Sequence, residues 1–319
     1  MERKRGAAAA MLTAGLGMGG PILLAGALGQ ASAGAAAALG GFMVGMGANA
    51  RDLRPALLAA GGAMAAAWLL GGEGIRASMA AVLLSGFAAL GSGYSRPAAL
   101  VAGRFIVFLW ICLGPLGGGA EEAARMVLVA AGAGWMAVLV LTLGDGPAPP
   151  AMTAPAATAV RKFRRWRATL GHAAGWNHAL RLVPCLGMAA ALELGWPGHH
   201  LRWAAVTVAI LTQRQPEAAY GRAMQRAAGA VLGVAATGLL LGRGLPGWGL
   251  ALLVGALAGV AAWLRSRSYL AYAAGMTPLV ILLLDGGRPV TVEVLVERVV
   301  ATLIGAGLVI AANRLARPP

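Results

Sequence analysis

The chain has 319 residues, of which 59% are hydrophobic and 12% charged, with a formal net charge of +15. A soluble domain of this length needs about a quarter of its residues charged to cover its surface, so the composition excludes an ordinary water-soluble protein.

The first predicted element imitates a secretory signal. MERKR precedes an apolar stretch to Gly29, and Ala31, Ser32 and Ala33 resemble a small-residue cleavage site. The stretch is longer than the apolar core of about 7 to 15 residues in such signals, so we read it as a retained first transmembrane helix. Apolar runs without a charge follow at 55–72, 77–95, 105–120, 126–144, 227–242, 244–264 and 268–284. Each spans or nearly spans a hydrocarbon core of about 30 Å, which takes roughly 20 helical residues. Helices are expected because a backbone in lipid must pair its own amides, and the runs lack the period-two alternation of barrel strands. The 49 glycines fit close helix packing in lipid. Cys112 and Cys185 lie inside apolar runs with no CxxC motif and read as small hydrophobes.

These runs predict an all-α membrane protein of about twelve transmembrane helices, arranged as two parallel six-helix repeats. The first repeat is 1–144 and the second 177–319. Helices seven and eight rest on short runs at 182–192 and 203–213, so their spans must take in Arg181, Glu193, Trp196 or Trp203. With twelve spans the two ends share a side, and most of the 26 basic residues fall on it. The positive-inside rule then places both termini in the cytoplasm. The charge is thus a topology signal, and no nucleic-acid partner is expected.

The repeat shows in sequence echoes. RMVLVAAGAG at 125–134 opens helix six, and RVVATLIGAG at 298–307 opens helix twelve. Ala102 and Gly103 answer to Ala274 and Gly275, and Arg54 and Gly61 to Arg222 and Gly229. Three matches in order point to a duplicated unit. Six is even, so both copies have one orientation, with a pseudo-two-fold axis along the membrane normal and a cavity where the halves meet.

The interval 145–176 joins the halves. Its Pro and Ala tract, GPAPPAMTAPAA, reads as a cytoplasmic linker. VRKFRRWRATLGH then places Val160, Phe163, Trp166 and Leu170 at helical spacing among five basic residues, as in an amphipathic helix on an anionic leaflet.

In the second half, HHLRWAAVTVAILTQRQPEAAYGRAMQRAAGAVLG resembles the signature of the fusaric acid resistance protein-like membrane family, which includes bacterial aromatic acid exporters. Trp203, Thr207, the Gln213 turn, Arg222, Arg226 and Gly229 take the places of its motif, with Ala230 where the family usually has Thr. Thr277 with Pro278 resembles the next helix, and Arg298, Thr302 and Gly305 the closing one. The first half matches only through the repeat, and the long cytoplasmic domain of many members has no counterpart in this chain. The resemblance implies an inner-membrane efflux or transport component for aromatic or other organic acids, sometimes beside a periplasmic adaptor. A more distant similarity to plant malate channels implies anion conduction as an alternative.

The residues carry no hydrolytic, redox or Walker lysine motif, so neither an enzyme nor a cofactor is expected. His172, His178, His199 and His200 lie near membrane boundaries without metal-ligand spacing. Polar groups at membrane depth are costly and tend to line cavities. Arg104, within helix five, and Arg226, at the start of helix nine, are therefore candidates to bind a carboxylate. Thr207, Gln213 and Thr277 are candidates to supply hydrogen bonds. Arg298 is expected near the outer interface, snorkelling or paired with Glu293 or Glu297. The function expected is a secondary exporter of organic, including aromatic, anions. A gated anion channel and a non-transporting membrane scaffold are the alternatives. The bilayer, the anion, and a homo-oligomer or periplasmic adaptor are the expected partners.

Overall fold

The computed structural model describes residues 2–45, 52–72, 74–114, 116, 119–144, 158–212, 219–241, 245–286 and 291–315. Gln213 and the rest of its turn lie outside them. Among the described residues there are thirteen helices and no strand. In chain order they are α1 (Glu2–Ala27), α2 (Ala31–Gly45), α3 (Leu53–Leu70), α4 (Ile75–Gly91), α5 (Arg96–Cys112), α6 (Ala120–Leu143) and α7 (Ala159–Leu170). The remainder are α8 (Ala173–Gly195), α9 (Arg202–Leu211), α10 (Ala219–Leu241), α11 (Gly247–Leu264), α12 (Tyr269–Asp285) and α13 (Val292–Leu315).

A helix covers each of the apolar stretches named in the sequence, at least in part, and α7 is the basic amphipathic segment. Five helices, α1, α3, α6, α11 and α13, are long and apolar enough to cross a membrane, while α2, α4, α9 and α12 are apolar but shorter. The outer faces carry exposed Leu24, Leu69, Phe87, Leu141 and Leu252, a surface suited to lipid rather than water. The chain is a multi-pass helical membrane protein. α8 begins at Ala173, ahead of the expected start near 177, and continues through Pro184. α9 is only ten residues long.

In the first half α1 packs on α2, α2 on α6, α3 and α4 on α5, and α1 on α6. In the second half α8 packs on α9, α9 on α13, α10 and α11 on α12, and α8 on α13. Between the halves α1 meets α11 and α4 meets α8, while α5 meets α9 and α2 meets α12. Local devices recur as well. The hydroxyl of Ser95 accepts from the Ala98 amide at 3.2 Å at the start of α5, and that of Ser268 from the Ala271 amide at 3.3 Å at the start of α12. These caps satisfy helix N–H groups that would otherwise lack partners.

Each echoed decamer begins with an arginine in the second turn of its helix, Arg125 of α6 and Arg298 of α13, and then brings a glycine against a neighbour. Gly132 of α6 lies against the Ala37 carbonyl of α2, with no space for a β-carbon. Gly305 of α13 lies against α9, where a β-carbon would come 2.6 Å from the Ala204 oxygen and 2.8 Å from Thr207 Cβ. Arg125 and Arg298, Gly132 and Gly305, and Ser95 and Ser268 all stand at one offset along the chain. The sequence echo is thus also an echo of helix packing.

Candidate functional site

Where α4 and α5 of the first half approach α8, α9, α12 and α13 of the second, the bundle leaves a cavity of about 530 Å³. Its charge comes from helix ends. Asp285 is the last residue of α12, where Gly286 turns the chain at φ 61°. Arg202 and Trp203 open α9, Glu193 lies in the last turn of α8, and Arg298 is in the second turn of α13.

Arg298 is the central group. It is only 7% exposed, and its Cζ stands 4.1 Å from the centroid of the Trp203 ring. Its Nη2 is 3.8 Å from Asp285 Oδ2, an ion pair too long for a hydrogen bond, and its buried Nε makes no hydrogen bond. A buried guanidinium is costly unless paired, and here a ring face and a carboxylate at long range hold it. The hydroxyl of Thr302, one turn on, donates to the Arg298 carbonyl at 2.8 Å and leaves the guanidinium alone.

A second charge pair adjoins it. Arg202 donates from Nε to Glu193 Oε1 at 2.7 Å, and its Nη2 is also 2.7 Å from that oxygen. Glu193 Oε2 is buried without a hydrogen bond. At the rim, each oxygen of Glu297 meets the Nδ1 of one imidazole, His199 on one side and His200 on the other. Trp110 lines the apolar wall and donates to Ser85 Oγ at 3.2 Å.

Across Asp285 lies another cavity, of about 650 Å³, bordered by Ser32, Glu121, Arg125 and Thr291. Leu284 and Asp285 line both. The arginines that open the two echoed decamers therefore border neighbouring cavities with one carboxylate between them. Chemically, the Arg298 cavity sets a guanidinium beside apolar walls that include Trp110 and Trp203. That combination suits a planar carboxylate carried on an apolar body.

The expectation for Arg298 is corrected here. It does not snorkel or pair with Glu293 or Glu297, because Trp203 provides an interior ring for it and the two histidines hold Glu297. Of the candidate binding residues that are described, Arg104, Arg226, Thr207 and Thr277, none is among the residues lining this cavity. Arg104 is half-buried and donates to the Asp52 carbonyl at 3.4 Å, close enough to Arg265 to feel its charge. Arg226 is half-buried, with a buried Nε lacking a hydrogen bond, and its charge is felt at Tyr269 and Tyr272, the latter also near Arg265. Arg104 and Arg226 thus lie near Arg265 and Tyr272, with Arg104 midway along α5 and Tyr272 at the end of α12 away from Asp285.

Thr207 is 1% exposed and packs against Gly305. Thr277 packs against Gly233 and donates its hydroxyl to the Ala273 carbonyl at 3.1 Å. Both sit at helix contacts. Gln213 lies outside the described residues.

Sequence reasoning missed the set Arg298, Asp285, Arg202 and Glu193. A signal was present, since Glu193, Arg202 and Trp203 flank one short connection and Asp285 and Arg298 flank another.

The apolar bundle and the charged cavity between its halves define a polytopic helical membrane protein. Residues 185–312 match the family described as fusaric acid resistance protein-like, which bears out the resemblance read from the three motifs of the second half. No curated protein and no solved structure matches the chain.

Proposed function

We propose that the protein is an inner-membrane secondary transporter that exports organic anions, aromatic acids among them, and that the carboxylate binds at Arg298. The observation that carries this reading is the buried Arg298 guanidinium, stacked on Trp203 in a cavity between the halves. Apolar walls there suit the body of an aromatic acid, and Arg202 with Glu193 sets the charge around it. A sealed bundle would have favoured the scaffold alternative, and the charged cavity speaks against it.

The architecture behind this reading is twelve spans in two parallel six-helix repeats, with both termini in the cytoplasm. Its support is the paired packing of the helices within and between the halves, the repeated serine caps and the repeated glycine contacts. In such an arrangement the basic group of Arg104, Arg226 and Arg265 forms the cytoplasmic mouth, which gathers anions, and the Arg298 cavity opens on the other side. Thr207 and Thr277 sit where α9 and α12 pack on glycines of α13 and α10.

Calorimetric titration of the purified full chain with benzoate, followed by uptake of labelled benzoate into proteoliposomes, tests the proposal. Saturable binding that Arg298→Ala removes, and uptake that Arg104→Ala with Arg226→Ala slows, are the expected results. Binding equal in wild type and Arg298→Ala overturns the site.

A further inference from the structure

The two halves meet along two lateral seams that are counterparts of each other, α1 on α11 and α4 on α8. They are built differently. Along the first, small residues bring the backbones together: a β-carbon on Gly19 would come 2.8 Å from the Ala251 oxygen, and one on Gly15 3.1 Å from the Gly255 oxygen. Along the second, the described glycine that meets the facing helix is Gly86, where a β-carbon would come 2.9 Å from Val183 Cγ2, and beside it lies an open groove of about 270 Å³. The groove is lined by α4 and α8 with apolar groups such as Leu83, Phe87, Leu180 and Pro184. The one polar atom among its side chains, the indole nitrogen of Trp176, already donates to the Leu170 carbonyl at 2.8 Å.

The groove adjoins α7 at Leu90. Trp166 of α7 donates to the carbonyl of Leu90, a groove residue, at 3.1 Å and meets Tyr94 edge-on. That anchor holds a helix that carries Arg161, Lys162, Arg164, Arg165 and Arg167, no acidic residue and no buried side chain. Val160 and Phe163 are also exposed on it. An apolar slot beside a dense, fixed positive charge matches a molecule with an apolar tail and an anionic head. Basic residues at a membrane surface contribute about 1 kcal/mol each toward anionic lipid.

We propose that the α4–α8 groove holds an acyl chain of an anionic phospholipid whose headgroup is bound by the basic residues of α7. The lipid completes on this seam the closure that glycines provide on the other. The site is separate from the Arg298 cavity, and its test does not depend on transport.

The test is native mass spectrometry of the full chain in detergent mixed with dioleoyl phosphatidylglycerol or dioleoyl phosphatidylcholine. Wild type retains phosphatidylglycerol with a preference of about tenfold or more, as engagement of a few basic residues would give. Arg164→Gln, Arg165→Gln and Arg167→Gln together abolish the preference. These side chains are exposed, so the thermal midpoint without lipid stays at the wild-type value. Leu180→Trp, which fills the groove from an exposed position, reduces retention of both lipids. Equal retention of the two lipids by wild type overturns the proposal. So does displacement of phosphatidylglycerol by glycerol 3-phosphate, which would mark a site for a free anion, or an unchanged preference in the triple variant.

Discussion

The guanidinium of Arg298 lies over the Trp203 ring with 4.1 Å between Cζ and the ring centroid. The buried Nε makes no hydrogen bond. Stacking of this kind contributes about 0.5 to 2 kcal/mol and depends on a planar cation. Arg298→Lys is therefore not a mild change, since the ammonium neither stacks as a plane nor presents a fork. We expect Arg298→Lys to weaken benzoate binding by about tenfold, the loss of one charge-assisted hydrogen bond, and Arg298→Ala to weaken it further. Calorimetric titration checks the order. Lysine binding as tightly as arginine would show that charge alone, without the fork, is what the site uses.

Asp285 acts in the opposite direction. If an anion binds at Arg298 as proposed, the carboxylate 3.8 Å away is the group it must displace, and it would repel that anion as well. Asp285→Asn keeps the shape and removes the negative charge, so benzoate affinity should rise by several-fold to about tenfold, given roughly 1 kcal/mol or more for a charge pair at this range. The same change leaves Arg298 with less compensation, so the thermal midpoint should fall. An affinity that drops in Asp285→Asn would mean that the carboxylate helps to build the site.

The helices and their order were legible in the sequence because lipid imposes length and apolarity on each span. The basic group around Arg265 was partly legible, since Arg104 and Arg226 stand out against apolar neighbours. The Arg298 site was not. An arginine at the head of an apolar helix resembles an interfacial anchor, and its acidic neighbours Glu293 and Glu297 seemed to complete it. Its actual partners are Trp203, on α9, and Asp285, at the end of α12, and only the packing of α9 on α13 brings Trp203 to it. Thr207 and Thr277 misled for a related reason. A hydroxyl in a span signals polarity, but here one threonine packs on Gly305 and the other on Gly233, and Thr277 uses its hydroxyl on its own helix.

The topology is open to a direct check. Trp196 lies in the connection between α8 and α9, and Arg165 on α7, so α8 alone separates them. Both positions are exposed, whereas the native Cys112 and Cys185 are buried. A membrane-impermeant maleimide applied to intact cells should label Trp196→Cys and leave Arg165→Cys unlabelled until the cells are opened. Labelling of both from outside would contradict the proposed span for α8, and the reverse pattern would invert the orientation.

The two decamers, RMVLVAAGAG and RVVATLIGAG, contain an internal control. Each has two glycines, and in each the first is against a neighbouring helix while the second, Gly134 or Gly307, has open space where a β-carbon would go. If the echo reflects a duplicated packing unit, alanine should act alike in both copies and differently within each. Gly132→Ala must push α6 from the Ala37 carbonyl, and Gly305→Ala must push α13 from Ala204 and Thr207. Overpacking of this kind costs about 1 to 3 kcal/mol, so both variants should unfold at lower temperature in detergent. Gly134→Ala and Gly307→Ala meet nothing and gain up to about 1 kcal/mol of helix propensity, so their midpoints should hold or rise. Loss of stability in only one of Gly132→Ala and Gly305→Ala would show that the two decamers do different work, and would leave the repeat as a likeness of sequence alone.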